Sequence, residues 1–202
     1  PMLAKAFWGG AGGYLVLLSI AGAERFGAGN GVSGDEALAA AAFATGALYC
    51  ARGIGIGFVD IVYGTRVTNN TVFSEFAGGG QHDVGISIER GVDILLAHNT
   101  VFMSHPDAYG SGIEYRYETT SNLTLHGNLS NRNIRSRDGA VATEEGNVVG
   151  GEASWFVAPE AGDLHLADCS GVDTVARHPD VLDDIDGEAR EETTFVGADV
   201  CE

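Results

Sequence analysis

At 202 residues, with 30 Gly and only 4 Pro, the chain can form one domain with a continuous core, and its composition suits tight turns between short strands better than helices or disorder. The net charge is −17, unevenly placed: residues 138–202 hold 17 of the 28 Asp and Glu against two Arg, leaving residues 1–137 at −2. That acidic third repels phosphate backbones and anionic headgroups, which argues against nucleic acid as a partner, and no apolar run is long enough for membrane insertion.

The chain opens with Gly9, Gly10, Gly12 and Gly13 before an apolar run, Tyr14 to Ile20. Lys5, this run and Ala21-Gly22-Ala23 outline a weak signal-peptide pattern, but a glycine turn feeding a buried strand explains the same residues and is the reading preferred. Residues 33–49 form the one helical stretch, with Ser33 and Glu36 at capping-box spacing. Such a helix would cap the open end of a stacked fold or belong to an inserted loop, or else the low-complexity N-terminus departs from the stacked fold altogether.

From Gly53 the pattern GIGIGFVDIVY begins, with Ile54, Ile56, Phe58 and Ile61 as inward candidates. Two motifs then recur in step. Asn70, Asn99 and Asn128, in VTNNTVF, LAHNTVF and LHGNLSN, are 29 residues apart, and Gly85, Gly112 and Gly139, heading GISI, GIEY and GAVA, are 27 apart. Units of this length with β-type alternation are coils of a solenoid, each burying its apolar face only against its neighbours. Aligned on asparagine, Val67, Leu96 and Leu125 share an inward column, preceded by Ile94 and Leu123; Arg66, Leu95 and Thr124 and then Thr68, Ala97 and His126 point outward. Aligned on glycine, Ile86, Ile113 and Ala140 and then Ile88, Tyr115 and Ala142 face inward, with Ser87, Glu114 and Val141 outward. Parallel strands about 4.8 Å apart would stack the asparagines in a ladder of amide-to-amide bonds. Asn147 follows Asn128 by only 19 residues, so the fourth coil is shortened.

These N-N-T-V-F and H-N-T-V-F corners resemble the right-handed parallel β-helix family, which includes pectate lyases and many secreted bacterial proteins. GDLHLADCSGVDTVA (162–176), DDIDGEAR (183–190) and VGADVCE (196–202) look like the closing segment of such proteins, so the resemblance covers residues 53–202. It implies an all-β solenoid with a short helical segment near the N-terminus: an Ala/Gly-rich segment over 1–52, repeat coils over 53–150 and an acidic closing segment over 151–202. It also implies a secreted or cell-surface location. Cys50, Cys169 and Cys201 lack zinc-ligand spacing. If the chain is exported, a Cys169–Cys201 disulfide is expected with Cys50 a buried thiol; three buried small side chains is the other reading.

Loops at 74–84, 103–111 and 130–138 precede the glycine-led strands and would project side by side. They carry His82 and Asp83, then His105 and Asp107, then Arg135, Arg137 and Asp138, and the adjoining strands add Glu89, Glu114 and Arg116. The resemblance makes Glu89, Glu114, Arg116 and Asp138 the candidate catalytic residues and His82, Asp83, His105 and Asp107 candidate ligand-binding residues. Paired carboxylates suit glycoside hydrolysis, whereas a lyase would use Arg116 as base with carboxylates holding calcium, the one cofactor considered, against an acidic sugar. The competing view is that any solenoid displays polar columns on its outer faces. His98 and His126 read as plain surface residues. DDIDGEAR fails as an EF-hand, because Leu182 and Thr193 fall on ligand positions; it reads as a turn at Asp186-Gly187 with Arg190 paired to a nearby acid. Asn69, Asn122 and Asn128 head N-x-[ST] sequons. Three functions follow: an extracellular polysaccharide-binding β-helix, a polysaccharide lyase or hydrolase of that fold, or a structural module, as a monomer or part of a longer chain.

Overall fold

The computed structural model describes residues 15–16, 53–74, 84–104 and 110–201. The helix expected over 33–49, Cys50, and His82, Asp83, His105 and Asp107 lie outside the described residues. Strands are numbered in chain order. One parallel sheet runs β1 (Leu15–Val16), β2 (Ile54–Ile56), β6 (Val84–Ile88), β9 (Ser111–Arg116) and β12 (Asn133–Arg137). In the second, β3 (Val62–Tyr63) and β4 (Arg66–Thr68) pair with β7 (Gly91–Ala97), followed by β10 (Ser121–His126) and β13 (Thr143–Glu145). The third runs β5 (Thr71–Ser74), β8 (Thr100–Met103), β11 (Leu129–Ser130) and β14 (Val148–Val149). Four successive coils, those that begin at β2, β6, β9 and β12, each contribute to all three sheets, which makes the fold an all-β parallel β-helix.

The register follows the asparagine alignment. Val67, Leu96 and Leu125 are consecutive partners, as are Ile94 and Leu123. On the first sheet Ile54, Ile86 and Ile113 form one column, and Ile56, Ile88 and Tyr115 the next. All are buried, and a fully buried Leu or Ile stabilises the fold by about 1.5–3 kcal/mol. Phe58 is not among them: it is 48% exposed, lying over Gly55.

The asparagines form a continuous ladder of four rungs. Nδ2 of Asn70, Asn99 and Asn128 donates to Oδ1 of Asn99, Asn128 and Asn147 at 2.8, 2.9 and 2.8 Å. The backbone N–H of each donates to the same oxygen at 3.0–3.1 Å. The residue before every rung has a left-handed backbone: Asn69, His98, Gly127 and Gly146, at φ between 52° and 60°. This turns the chain from the second sheet to the third, and Asn and Gly are the residues that tolerate it best.

The glycine alignment fails in its third unit. Ile134, not Ala140, pairs with Ile113, and Ser136 with Tyr115. Residues 133–137 are therefore strand β12 rather than part of a projecting loop, and Gly139 lies in the turn that follows, with φ 83°. The link from β11 to β12 is only Asn131–Arg132, which is where the last coil loses its length. At that end the inward column closes on a charge: Glu144 pairs beside Leu125, is exposed, and accepts a 2.6 Å bond from the Tyr115 hydroxyl.

Residues 151–201 do not extend the stack. Two antiparallel pairs, β15 (Phe156–Ala158) with β16 (Asp163–Leu166) and β17 (Thr174–Ala176) with β18 (Thr193–Phe195), lie along the flank. Phe156, Leu164, Val172, Val175 and Val196 pack on Phe102 and Leu129 of the third sheet. Val181 packs on Leu95 and Ala97 of the second, which explains why two outward positions of β7 are apolar. Cys169 and Cys201 are joined by a disulfide, Cα atoms 6.3 Å apart.

Candidate functional site

The first site is the outer face of the first sheet. Its side chains are placed by register: Ser87, Glu114 and Arg135 occupy one outward column, and Arg116 and Arg137 are partners in another. Arg116 spans two coils, donating from Nη1 to Glu89 at 3.3 Å and from Nε to Asp138 at 2.7 Å. The hydrogen bond it donates to Asp138 holds the Arg116 guanidinium more firmly charged than usual, with Glu89 adding to it. Arg137 Nη1 donates to Glu114 at 3.0 Å, and Ser111 Oγ donates to the other oxygen of Glu114 at 3.4 Å. Glu114 is 4% exposed. Beside these pairs the Arg90 and Arg116 guanidinium carbons lie 4.9 and 4.8 Å from the centre of the Tyr117 ring, a cation–π arrangement. Tyr117 holds its place through a left-handed backbone, φ 64°.

Glu89, Arg116 and Asp138 are thus brought into direct contact, and Glu114 joins them through the arginine next to Arg116. Glu89 and Asp138 share one guanidinium instead of facing each other across an open gap. The arrangement orders the face and presents arginine and tyrosine at its edge; Glu89, Glu114 and Asp138 each meet an arginine.

The second polar centre is the seat of the C-terminal segment, and here the outward histidines are corrected: His98 and His126 are 0% and 5% exposed because the segment covers them. Arg190 is the hub. It is 2% exposed and donates to the carbonyls of Asp183, Phe195, Gly197 and Ala198 at 2.9–3.3 Å, to Thr194 Oγ1 and to Asn69 Oδ1. The expected pairing with an acid is replaced by this set of neutral oxygens, and burial pulls the guanidinium down to about 10. Asn69 also donates to the Asp183 carbonyl at 2.6 Å. His126 Nε2 meets the Ala176 carbonyl at 2.7 Å. The rings of His98, His126 and His178 stand in file, with centroids 5.5 and 5.2 Å apart. Burial, then Arg190 and the two other histidines, push His98 down to about 3.

A third cluster lies within the segment itself. Ligand atoms of His165, Asp186 and Asp199 lie within 4.8 Å of one another, close enough to converge on a cation. His165 already bridges Asp163 and Asp186 at 2.6 and 3.0 Å, and the Asp163 hydrogen bond raises it above the usual imidazole range. Burial lifts Asp199 to about 6. Sequence reasoning missed both this cluster and the Arg190 hub. Their members are scattered over the segment, and no short spacing marks them.

Among the described residues no helix is long and apolar enough to cross a membrane. No protein-family model, curated protein or solved structure matches the chain.

Proposed function

We propose that the chain is an extracellular or cell-surface parallel β-helix protein that binds polysaccharide along the outer face of its first sheet, without cleaving it. The observation that carries this is the concentration of cationic and aromatic groups there. In a chain of net charge −17 with 11 Lys and Arg, four arginines (Arg90, Arg116, Arg135 and Arg137) meet three carboxylates (Glu89, Glu114 and Asp138) and Tyr117 on this one face. Arginine forks and a tyrosine edge are the groups that take the hydroxyls and acidic substituents of a sugar chain. The ion pairs fix Arg116 and Arg137 in place, so little of their conformational freedom is lost on binding. The Cys169–Cys201 disulfide supports the oxidising, exported environment that this reading requires.

A glycan array with and without calcium, read alongside assays for new reducing ends and unsaturated products, tests the proposal. Binding that is lost in R116A and E114Q, with no product formed, is the expected result. Product formation would shift the reading to a lyase or hydrolase, and unchanged binding in both variants, or none in the wild type, would leave only a structural module.

A further inference from the structure

We infer that residues 172–200 form an acid-sensitive clasp, docked over the His98 corner at neutral pH and loosened from it on acidification, with the Cys169–Cys201 disulfide keeping the loosened segment attached. His98 stands at the left-handed corner between β7 and β8, φ 52°. It is 0% exposed, and among the described residues neither ring nitrogen has a hydrogen-bond partner. The groups facing it come from two elements. His126 approaches from β10, and His178 and Arg190 from the clasp. The Phe195 backbone favours the charged form slightly, although its carbonyl is already taken by Arg190.

Among the described residues no carboxylate acts on His98. A proton placed there in the docked state would sit in a dry site beside a guanidinium and two imidazoles, which burial and like charge both oppose. With the clasp undocked, the same ring lies at a solvated corner and takes its proton normally. Protons therefore bind the undocked state in preference, and by linkage acid favours undocking.

The neighbours define the balance. His126 is held by the Ala176 carbonyl on one nitrogen and stands 3.5 Å from Glu145 on the other. His178 accepts the Asp180 N–H at 3.2 Å; burial, His126 and Arg66 lower it against the pull of Asp180 and Glu145. It works in the same direction as His98. Asp199, in the same segment and lifted by burial, works in the opposite direction, so the His98 contribution is read as a difference between variants.

The sign follows from the direction of the shift. His98 is depressed on docking, so its contribution is complete above its ordinary value of 6.5 and is lost progressively as pH falls toward 3. At pH 5.0 this gap weakens docking by about 30-fold from His98 alone. Undocking uncovers Leu95 and Ala97, which Val181 covers, and removes Val172, Val175 and Val196 from Phe102 and Leu129, where Phe156 and Leu164 stay packed.

Amide hydrogen exchange at pH 7.5 and 5.0, with the clasp referenced to β7 and β10 in the same sample, tests this. The variant is H98N, since Asn69 already holds the equivalent left-handed corner of the preceding coil. Relative protection of 172–200 should fall about 30-fold further in the wild type than in H98N. An equal fall in both, no fall in the wild type, or simultaneous loss of clasp and coil protection would overturn the inference. Titration of the His98 ring by NMR decides the matter in the wild type even where H98N does not fold. The ring should stay neutral to pH 5 while the clasp is protected, and a proton taken near 6.5 with the clasp still protected would refute the idea.

Discussion

Replacing Asn99 by alanine removes the centre of the ladder, and the structure sets the size of the effect. Oδ1 of Asn99 accepts from the Asn70 backbone at 3.1 Å and from the Asn70 amide at 2.8 Å. Its Nδ2 donates to Asn128 Oδ1 at 2.9 Å and to the carbonyls of Val67 and Ala97 at 2.8 and 3.3 Å. All of this happens at 0% exposure. Asn128 Oδ1 keeps the Asn99 backbone N–H, and the Asn70 amide keeps the Thr68 carbonyl. The Asn70 backbone N–H and the Val67 carbonyl each lose a bond that water cannot reach to replace. At about 1–3 kcal/mol per stranded buried group, two groups give about 2–6 kcal/mol, a fall in Tm of at least ~4 °C for a chain of this size. Asn147→Ala strands the equivalent pair, the Asn128 backbone N–H and the Leu125 carbonyl, but Asn147 is only half-buried, so water compensates and its loss should be smaller. Urea denaturation of both variants beside Thr68→Ala is the assay. An Asn99→Ala loss no greater than that of Thr68→Ala, or no greater than that of Asn147→Ala, would refute the ladder as a source of stability.

Cys169→Ser with Cys201→Ser, which opens a loop of sequence separation 32, should cost about 3–4 kcal/mol in the same measurement. A Cβ at Gly146, where φ is 59°, would run into Val175 Cγ2, so Gly146→Ala should destabilise by about 1–3 kcal/mol. Adding Val175→Ala should then cost less than it does alone; strict additivity would count against the contact. Asp199 is raised from 3.8 to about 6 by burial, so its stabilising contribution is present below 3.8 and lost as pH rises through 6. Asp199→Asn can still accept the Leu166 N–H, and it should remove that decline and leave the protein at least as stable as wild type at pH 7.5, as read by Tm across pH 4–8. A less stable variant at pH 7.5 would contradict the burial argument.

The coils were legible because the sequence repeats where the physics repeats. A rung of the ladder has to be asparagine to donate and accept along the axis at once, and Val67, Leu96 and Leu125 have to be apolar because they stack on one another inside the apolar core. The glycine motif misled in its third unit for a related reason. A Cβ at Gly85 would strike Val101 and the Gly112 carbonyl, and one at Gly112 would strike Ser130. In the last coil the register shifts at Asn133 and that glycine requirement is absent, so the marker vanished while the strand remained. The first-sheet face was readable in part. Stacking alone places Glu89 beside Arg116, whereas Arg137 and Asp138, both read as residues of the loop before the third glycine, became legible as the partners of Glu114 and Arg116 only with the corrected register. His98, His126 and Arg190 were not readable, because their burial depends on a segment 50 or more residues away folding back over the flank.

The glutamate that ends the inward column has a consequence for self-association. Exposed strand edges recruit further strands, and a stack of parallel strands with an amide ladder is the template on which fibrils grow. Any strand laid against β13 would have to enclose the Glu144 carboxylate in the interior and give up the bond it makes to Tyr115. Glu144→Leu should therefore turn this edge from a terminus into a nucleus, with faster thioflavin-positive aggregation than wild type at equal concentration. The same carboxylate that marks where the coils stop also makes that edge reject another copy.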